Sequence, residues 1–294
     1  MRTMSNRPIP ETDPVVERVV IDALQEDLAD TGDITSEAIF APDAMATAII
    51  RSKSEGVLSG IRLVQPVFSH CDERLDVVLG SEDGSRVEQG SLIATVSGPI
   101  RGILAGERTA LNFLQRLGGI ATLTSRFVAA VEGTACRILD TRKTTPLLRY
   151  FEKEAVRHGG GCNHRFGLYD MILIKDTHVK RSGGVDQALE RAIDYRLATG
   201  MHGCAIEVEV QSMGEFETAL KYHPDRIMLD NMTVETMRRC VEMRDSRQPD
   251  IELEASGNVT LETVGRIAAT GVDYISSGAL THSAPALDIH LLIQ

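Results

Sequence analysis

Residues 205–230 read Ala205-Ile-Glu-Val-Glu-Val-Gln-Ser-Met-Gly-Glu-Phe-Glu-Thr-Ala-Leu-Lys-Tyr-His-Pro-Asp-Arg-Ile-Met-Leu-Asp230. A β-rich run at 205–210 is followed by a helical stretch at about 214–221, then by a second apolar run at 226–230. This is one β–α–β unit, and it predicts two parallel strands joined by a helix. The unit repeats in both directions. Strands are expected at 136–140, 171–175, 205–210, 226–230, 251–255 and 272–276, with helices near 146–157, 185–198, 214–221, 234–243 and 260–269. A full eight-unit barrel takes about 250 residues. The residues alone therefore leave open a shortened or incomplete barrel and a doubly wound open sheet. No G-x-G-x-x-G follows the first strand, which argues against a dinucleotide fold.

Upstream the pattern changes. Residues 106–131 read as one long helix or two abutting ones, with Gly118-Gly119 as the expected break. Residues 45–100 alternate short β-rich runs with Gly-rich turns, around one helix near 61–68, as in a small α+β domain. Residues 13–28 carry a helical apolar stripe.

Composition narrows the function. The chain has 294 residues, 31 Lys+Arg and 42 Asp+Glu, giving a net charge of −11. That argues against a dedicated nucleic-acid binder, whose surface is basic. The five cysteines, at 71, 136, 162, 204 and 240, form no C-x-x-C pair and fit reduced thiols. Residues 1–14 are polar, with three prolines and no apolar leader core, and no stretch is long and apolar enough to span a membrane. A soluble, cytoplasmic protein is expected.

Chemistry gathers at the strand ends. The first strand ends in Asp140-Thr-Arg-Lys143 and the second in Lys175-Asp176. The third carries Glu207 and Glu209, the fourth ends Asp230-Asn231, the fifth Ser256-Gly257-Asn258 and the sixth Ser276-Ser277-Gly278. Ligands of parallel α/β folds bind at the carboxyl ends of strands. On the third strand, period two puts Glu207 and Glu209 on one face and Ile206, Val208 and Val210 on the other. Glu209, nearer the end, is the better ligand candidate. Glu207 is expected to be a structural partner of a buried Lys or Arg.

Charge is also uneven. Residues 137–180 hold nine Lys/Arg against five acids, a local excess of +4 in an acidic chain. A small polyanionic substrate fits such a pocket. Glu152, Lys153 and Glu154 within it are expected on an exposed helix face. The two Ser-Gly turns after the last strands suit a phosphate held by backbone N–H groups.

The chain resembles the quinolinate phosphoribosyltransferase family. The resemblance is carried by Gly106-Glu-Arg-Thr-Ala-Leu-Asn-Phe-Leu-Gln115, Asp140-Thr-Arg-Lys-Thr-Thr-Pro146, Gly159-Gly-Gly-Cys-Asn-His-Arg-Phe-Gly-Leu168, Ile174-Lys-Asp-Thr-His178, Glu207-Val-Glu209, Leu229-Asp-Asn231 and Glu254-Ala-Ser-Gly-Asn258. It implies an N-terminal α/β sandwich domain (8–115), an incomplete parallel α/β barrel (116–280) and a C-terminal tail (281–294) packing back on the N-terminal domain. It also implies a homodimer with shared active sites, open to higher assembly.

The implied reaction joins quinolinate and phosphoribosyl pyrophosphate (PRPP), with Mg2+ and no organic cofactor. Nicotinate mononucleotide, pyrophosphate and carbon dioxide are the products. Arg142, His164, Arg165 and Lys175 would surround quinolinate, with Arg108 from the other subunit. Lys143, Glu209 and Asp230 would face PRPP as catalytic residues, with Glu209 and Asp230 nearest the metal, and Thr141 would join the substrate-binding set. Ser256, Gly257, Asn258, Ser276, Ser277 and Gly278 would hold the 5′-phosphate. Three departures from the family pattern are Leu147 for Gly, Thr177 for Asn and Ala255 for Ser. The residues alone also admit a Schiff-base lyase through Lys143 or Lys175, and a non-catalytic phosphate-ligand sensor.

Overall fold

The computed structural model describes residues 13–294, so the reading of the first residues as leader-free lies almost wholly outside it. The chain divides into two compact units: residues up to Thr122 together with Pro285–Gln294, and Leu123–Ala284.

In the first unit α1 (Pro14–Leu28) begins at Asp13, whose carboxylate accepts the Val15 N–H. Pro14 sits in the first turn, where a missing N–H costs nothing. Its buried stripe is Val16, Val20 and Leu24. After α2 (Ile34–Ile39) come β1 (Met45–Ser52), β2 (Gly56–Val57), α3 (Val64–Cys71), β3 (Asp76–Leu79), β4 (Arg86–Val87) and β5 (Leu92–Pro99). An antiparallel sheet runs β3-β5-β1, and the C-terminal strand of the chain (Ile289–Ile293) extends it beside β1.

The helix α4 (Ile100–Ala130) is continuous, so the break expected at Gly118-Gly119 is absent. The glycines answer a different need. A Cβ on Gly119 would collide with the Pro285 carbonyl oxygen, and one on Gly118 would lie 2.9 Å from Leu287 Cδ2. Residues 285–287 lie directly on the helix there, and Leu287 N–H donates to Gln115 O at 2.9 Å.

The second unit holds β6 (Arg137–Leu139), α5 (Arg149–His158), β7 (Ile172–Ile174), α6 (Asp176–Ser182), α7 (Val185–Ala198), β8 (Ile206–Val210), α8 (Met213–Leu220), β9 (Arg226–Asp230), α9 (Val234–Arg247), β10 (Glu252–Ser256), α10 (Leu261–Ala268), β11 (Tyr274–Ser276) and α11 (Ala279–His282). The C-terminal strand is therefore β12. The six strands form one parallel sheet in the order β7-β8-β9-β10-β11-β6. A doubly wound sheet reverses its strand order partway. This one does not: it proceeds in sequence around to β6 and lacks only the β6–β7 pairing. It is an incomplete parallel α/β barrel. Ile206, Val208 and Val210 are fully buried, as the alternation on β8 requires.

One element is added to the expected set here and one expectation fails. The short α6 was not foreseen; it is seven residues with no apolar stripe. Glu152, Lys153 and Glu154 are all buried, so the exposed charged face expected for α5 is wrong. Their polar atoms meet loop backbone and other charges rather than water. No helix among the described residues is long and apolar enough to cross a membrane. All five cysteines are free.

Candidate active site

A cavity of about 470 Å3 opens at the carboxyl ends of the strands. Thr141, Arg142 and Lys143 reach it from the segment after β6, and His164 and Arg165 from the loop after α5. Lys175 enters from the end of β7, Glu209 from β8 and Asp230 from β9. Ser256, Gly257 and Asn258 enter from β10 and its following turn, and Ser276, Ser277 and Gly278 from β11 and its following turn. Among the expected site residues Arg108 alone does not line it. Arg108 is exposed on α4, in the first unit.

Sequence reasoning missed His282 and the apolar lining from Leu173, Met228, Val259 and Ala279. Asn231 was named at its strand end but given no role, and it lines the cavity beside Asp230. His282 sits one helical turn beyond Gly278, a spacing that carried the signal. The aliphatic residues look like any core positions.

The cationic wall comes from two loops. Arg142 Nε and Arg165 Nε are buried and make no hydrogen bond. Arg165 Nη1 is anchored on Met171 O at 3.1 Å. Burial and then the charge of Arg142 hold the Arg165 guanidinium below its ordinary pKa. Two adjacent guanidiniums whose buried Nε atoms have no protein partner suit an anionic ligand. One face of α5 holds both loops. Arg149 donates to Arg142 O at 3.3 Å and to Phe166 O at 3.1 Å, and Glu152 accepts the Thr145 N–H at 3.1 Å.

Beneath the cavity lies a buried charge cluster. His164 Nε2 is 3.1 Å from Glu207 Oε2 and 3.4 Å from Glu254 Oε2, both ion-pair distances. Arg226 Nη1 reaches Glu254 Oε2 at 3.1 Å, and its guanidinium stacks on the Tyr274 ring at 4.1 Å. Glu207 thus has the structural role expected of it, with His164 as its direct partner rather than a Lys or Arg. Burial opposes a charge on His164, but the two carboxylates outweigh it and carry its pKa up to about 9. Burial and Glu254 push the Glu207 carboxyl up, while His164 and Arg226 overcome burial to hold Glu254 down. One contact favours the neutral ring: Arg165 N–H donates to His164 Nδ1 at 2.7 Å. Three carboxylates (Glu207, Glu252 and Glu254) face the single guanidinium of Arg226, and this excess of negative charge works against that contact in favour of the charged ring. The donor atoms of His164, Glu207 and Glu254 lie within 4.8 Å of one another, close enough to hold a divalent cation.

The opposite wall is built of turns. Asn231, Gly257 and Asn258 all have left-handed backbones, with φ of 54°, 95° and 50°. A Cβ on Gly257 would collide with the Asn231 side chain, so glycine is required there. Asn258 Nδ2 donates to Asn231 Oδ1 at 3.0 Å, and Ser276 Oγ donates to Ser256 Oγ at 3.1 Å. Asp230 accepts from Gln211 Nε2 at 3.1 Å and Asn231 Nδ2 at 3.0 Å, while Glu209 Oε2 accepts the Asp176 N–H at 3.1 Å. Of the three departures, Leu147 is 83% exposed with φ 66°, Ala255 is buried in β10, and Thr177 is exposed.

Paired arginines facing Ser-Gly-Asn turns, with two carboxylates between them, define a barrel-fold site suited to a phosphorylated ligand beside a second small anion. The family model for the quinolinate phosphoribosyl transferase C-terminal domain matches residues 120–292, and that for the N-terminal domain matches 33–118. The chain belongs to the quinolinate phosphoribosyltransferase family. It is 43% identical over 284 residues to quinolinate phosphoribosyltransferase (decarboxylating) 1b of Nicotiana tabacum, covering 92% of this chain and 80% of that one. It is 43% identical over 287 residues to the chloroplastic nicotinate-nucleotide pyrophosphorylase (carboxylating) of Oryza sativa, covering 92% and 76%. The solved nicotinate-nucleotide pyrophosphorylase of Francisella tularensis superposes with a TM-score of 0.90 at 36% identity, covering all of both chains.

Proposed function

We propose that the chain transfers phosphoribosyl from PRPP to the ring nitrogen of quinolinate, with loss of one carboxylate. Nicotinate mononucleotide, pyrophosphate and carbon dioxide leave. The observation that carries this reading is the pair Arg142 and Arg165, two guanidiniums that line one cavity and whose buried Nε atoms have no protein partner. Their planar forks match carboxylates bidentately, and Lys175 adds a third cation.

Lys143 lies against Gly278, whose added Cβ would come 2.8 Å from Lys143 Cδ, and its ammonium serves the pyrophosphate and ribose. As the bond from ribose to pyrophosphate breaks, positive charge grows on the ribose carbon. Glu209 and Asp230 stabilise that charge through their field and the ribose hydroxyls. The pyridine nitrogen, held by the arginines, gives its electron pair to that carbon. The ring is now a pyridinium, so it accepts the electron pair left when the adjacent carboxylate departs as carbon dioxide. A proton then takes that position, and no organic cofactor is required.

Magnesium bound with PRPP supplies charge neutralisation of the leaving pyrophosphate. Glu209 and Asp230 fit it as oxygen donors. Their existing bonds to Asp176 N–H, Gln211 and Asn231 leave room for few direct contacts, so PRPP oxygens would supply most of its ligands. The buried His164 cluster already has Arg226 as its cation, which favours the cavity carboxylates over that cluster as the holders of magnesium. The family resemblance supports a homodimer in which Arg108 is donated across the interface. The free thiols suit the reducing cytoplasm.

The test is direct. The purified chain, given quinolinate, PRPP and magnesium, should form nicotinate mononucleotide, and omission of any one should stop it. No product with all three present would overturn the reading.

A further inference from the structure

Lys153 and Asp140 are 3% and 0% exposed and pair with each other, yet neither lines the cavity. A charge that deep persists only when its partners satisfy it. Here the partners are specific. Asp140 Oδ1 accepts the backbone N–H of His164 at 2.8 Å, and Lys153 Nζ donates to the backbone carbonyl of His164 at 3.0 Å. One buried ion pair therefore grips both sides of a single residue's backbone. Asn163 closes the set: its Nδ2 donates to Asp140 Oδ2 at 2.6 Å and to Lys153 O at 2.8 Å.

The gripped residue is His164, and the next is Arg165, both on the cavity wall. Asp140 is also followed directly by Thr141 and Arg142. The pair thus joins the two loops that bear Arg142 and Arg165. An apolar pair of equal volume would serve stability as well or better. It could not bind the N–H and C=O of one residue together.

We propose that Lys153, through its pair with Asp140, is a positioning residue that sets His164 and Arg165 for the carboxylates of the pyridine substrate. This rests on the reaction assigned above. Lys153 touches no substrate; it acts through the backbone of His164. A purely structural lysine would, when replaced, lower the folded fraction and leave both KM values unchanged. A positioning lysine moves one KM and leaves the other.

The experiment compares Lys153→Met, the double variant Asp140→Asn/Lys153→Met, and Asn163→Ala. The double variant removes both charges together while Asn at 140 still accepts the His164 N–H. Asn163 is exposed, so its variant folds whatever the buried pair does. In folded protein the KM for quinolinate should rise about ten-fold in the Lys153 variants and about three-fold in Asn163→Ala, with the KM for PRPP within about two-fold. Amide hydrogen exchange should speed up about ten-fold or more at His164, while the β8 amides stay unchanged. If neither Lys153 variant folds, Asn163→Ala decides by the same two readouts. Unchanged quinolinate KM and unchanged His164 exchange in a folded variant would overturn the proposal. The exchange readout needs no turnover, so an unsubstituted chain inactive with quinolinate and PRPP counts against the reaction alone.

Discussion

His164 Nε2 lies 3.1 Å from Glu207 Oε2, on a carboxylate with no exposed surface at all. The pairing ties a cavity residue to a charge cluster sealed inside the barrel. Glu207 faces the ring from β8, Glu254 from β10, Arg226 from β9 and Arg165 from the ring's own loop.

The first prediction follows from that cluster. His164 is raised from 6.5 to about 9, against burial, by Glu207 and Glu254. Its ring should stay charged through neutral pH, as read by NMR of isotope-labelled histidine. In Glu207→Gln the midpoint should fall by about one unit or more. The folded value exceeds the unfolded one. The stabilising contribution is therefore complete below about pH 6.5 and is lost as pH rises through about 9. A midpoint near 6.5 in the unsubstituted protein would contradict this.

Leu147 offers a test of local strain. It holds φ 66° with its side chain 83% in solvent. Left-handed backbone costs a residue with a Cβ about 1–2 kcal/mol, and glycine's greater freedom when unfolded offsets part of the gain. Leu147→Gly should stabilise the protein by roughly 0.5–1 kcal/mol in urea unfolding. A net loss would show that the leucine makes a contact worth more than the strain.

The two walls of the cavity should separate by ligand. Arg165→Ala should weaken quinolinate binding by about 30-fold or more, since a substrate carboxylate is left without its partner. Lys143→Ala should weaken PRPP binding and leave the quinolinate Kd within about three-fold. Calorimetry on each ligand alone reads both. Unchanged quinolinate binding in Arg165→Ala would remove that arginine from the site.

Much of this site was legible before the fold was known, and the reason is physical. Asp230 ends a buried strand, and a charge placed there can only face the carboxyl-end opening. Glu207 and Glu209 were placed on the interior face by the simple alternation of β8. The Lys153 grip was not legible. Arg-Tyr-Phe-Glu-Lys-Glu on α5 looks like a solvated helix face, because nothing local distinguishes a charge meeting water from one meeting another loop's backbone. Gly118-Gly119 misled for a similar reason. A glycine pair marks a break or a close approach equally well, and the approaching chain, Pro285 to Leu287, is remote in sequence. Arg108 stands apart again, since only the family resemblance connects it to the cavity.

That connection predicts complementation between subunits. Arg108→Ala and Lys143→Ala should each be inactive. After subunit exchange, a mixed dimer has one site with both lesions and one with neither. Activity should return, to at most one working site per mixed dimer. Exchange verified by mass without any return of activity would show that Arg108 does not act across the interface.

The most direct measurement uses quinolinate labelled in the carboxylate beside the ring nitrogen. With PRPP and magnesium, one labelled carbon dioxide should be released for each nicotinate mononucleotide formed, together with one pyrophosphate. A nucleotide product that keeps the label, or no nucleotide at all, would contradict the assignment.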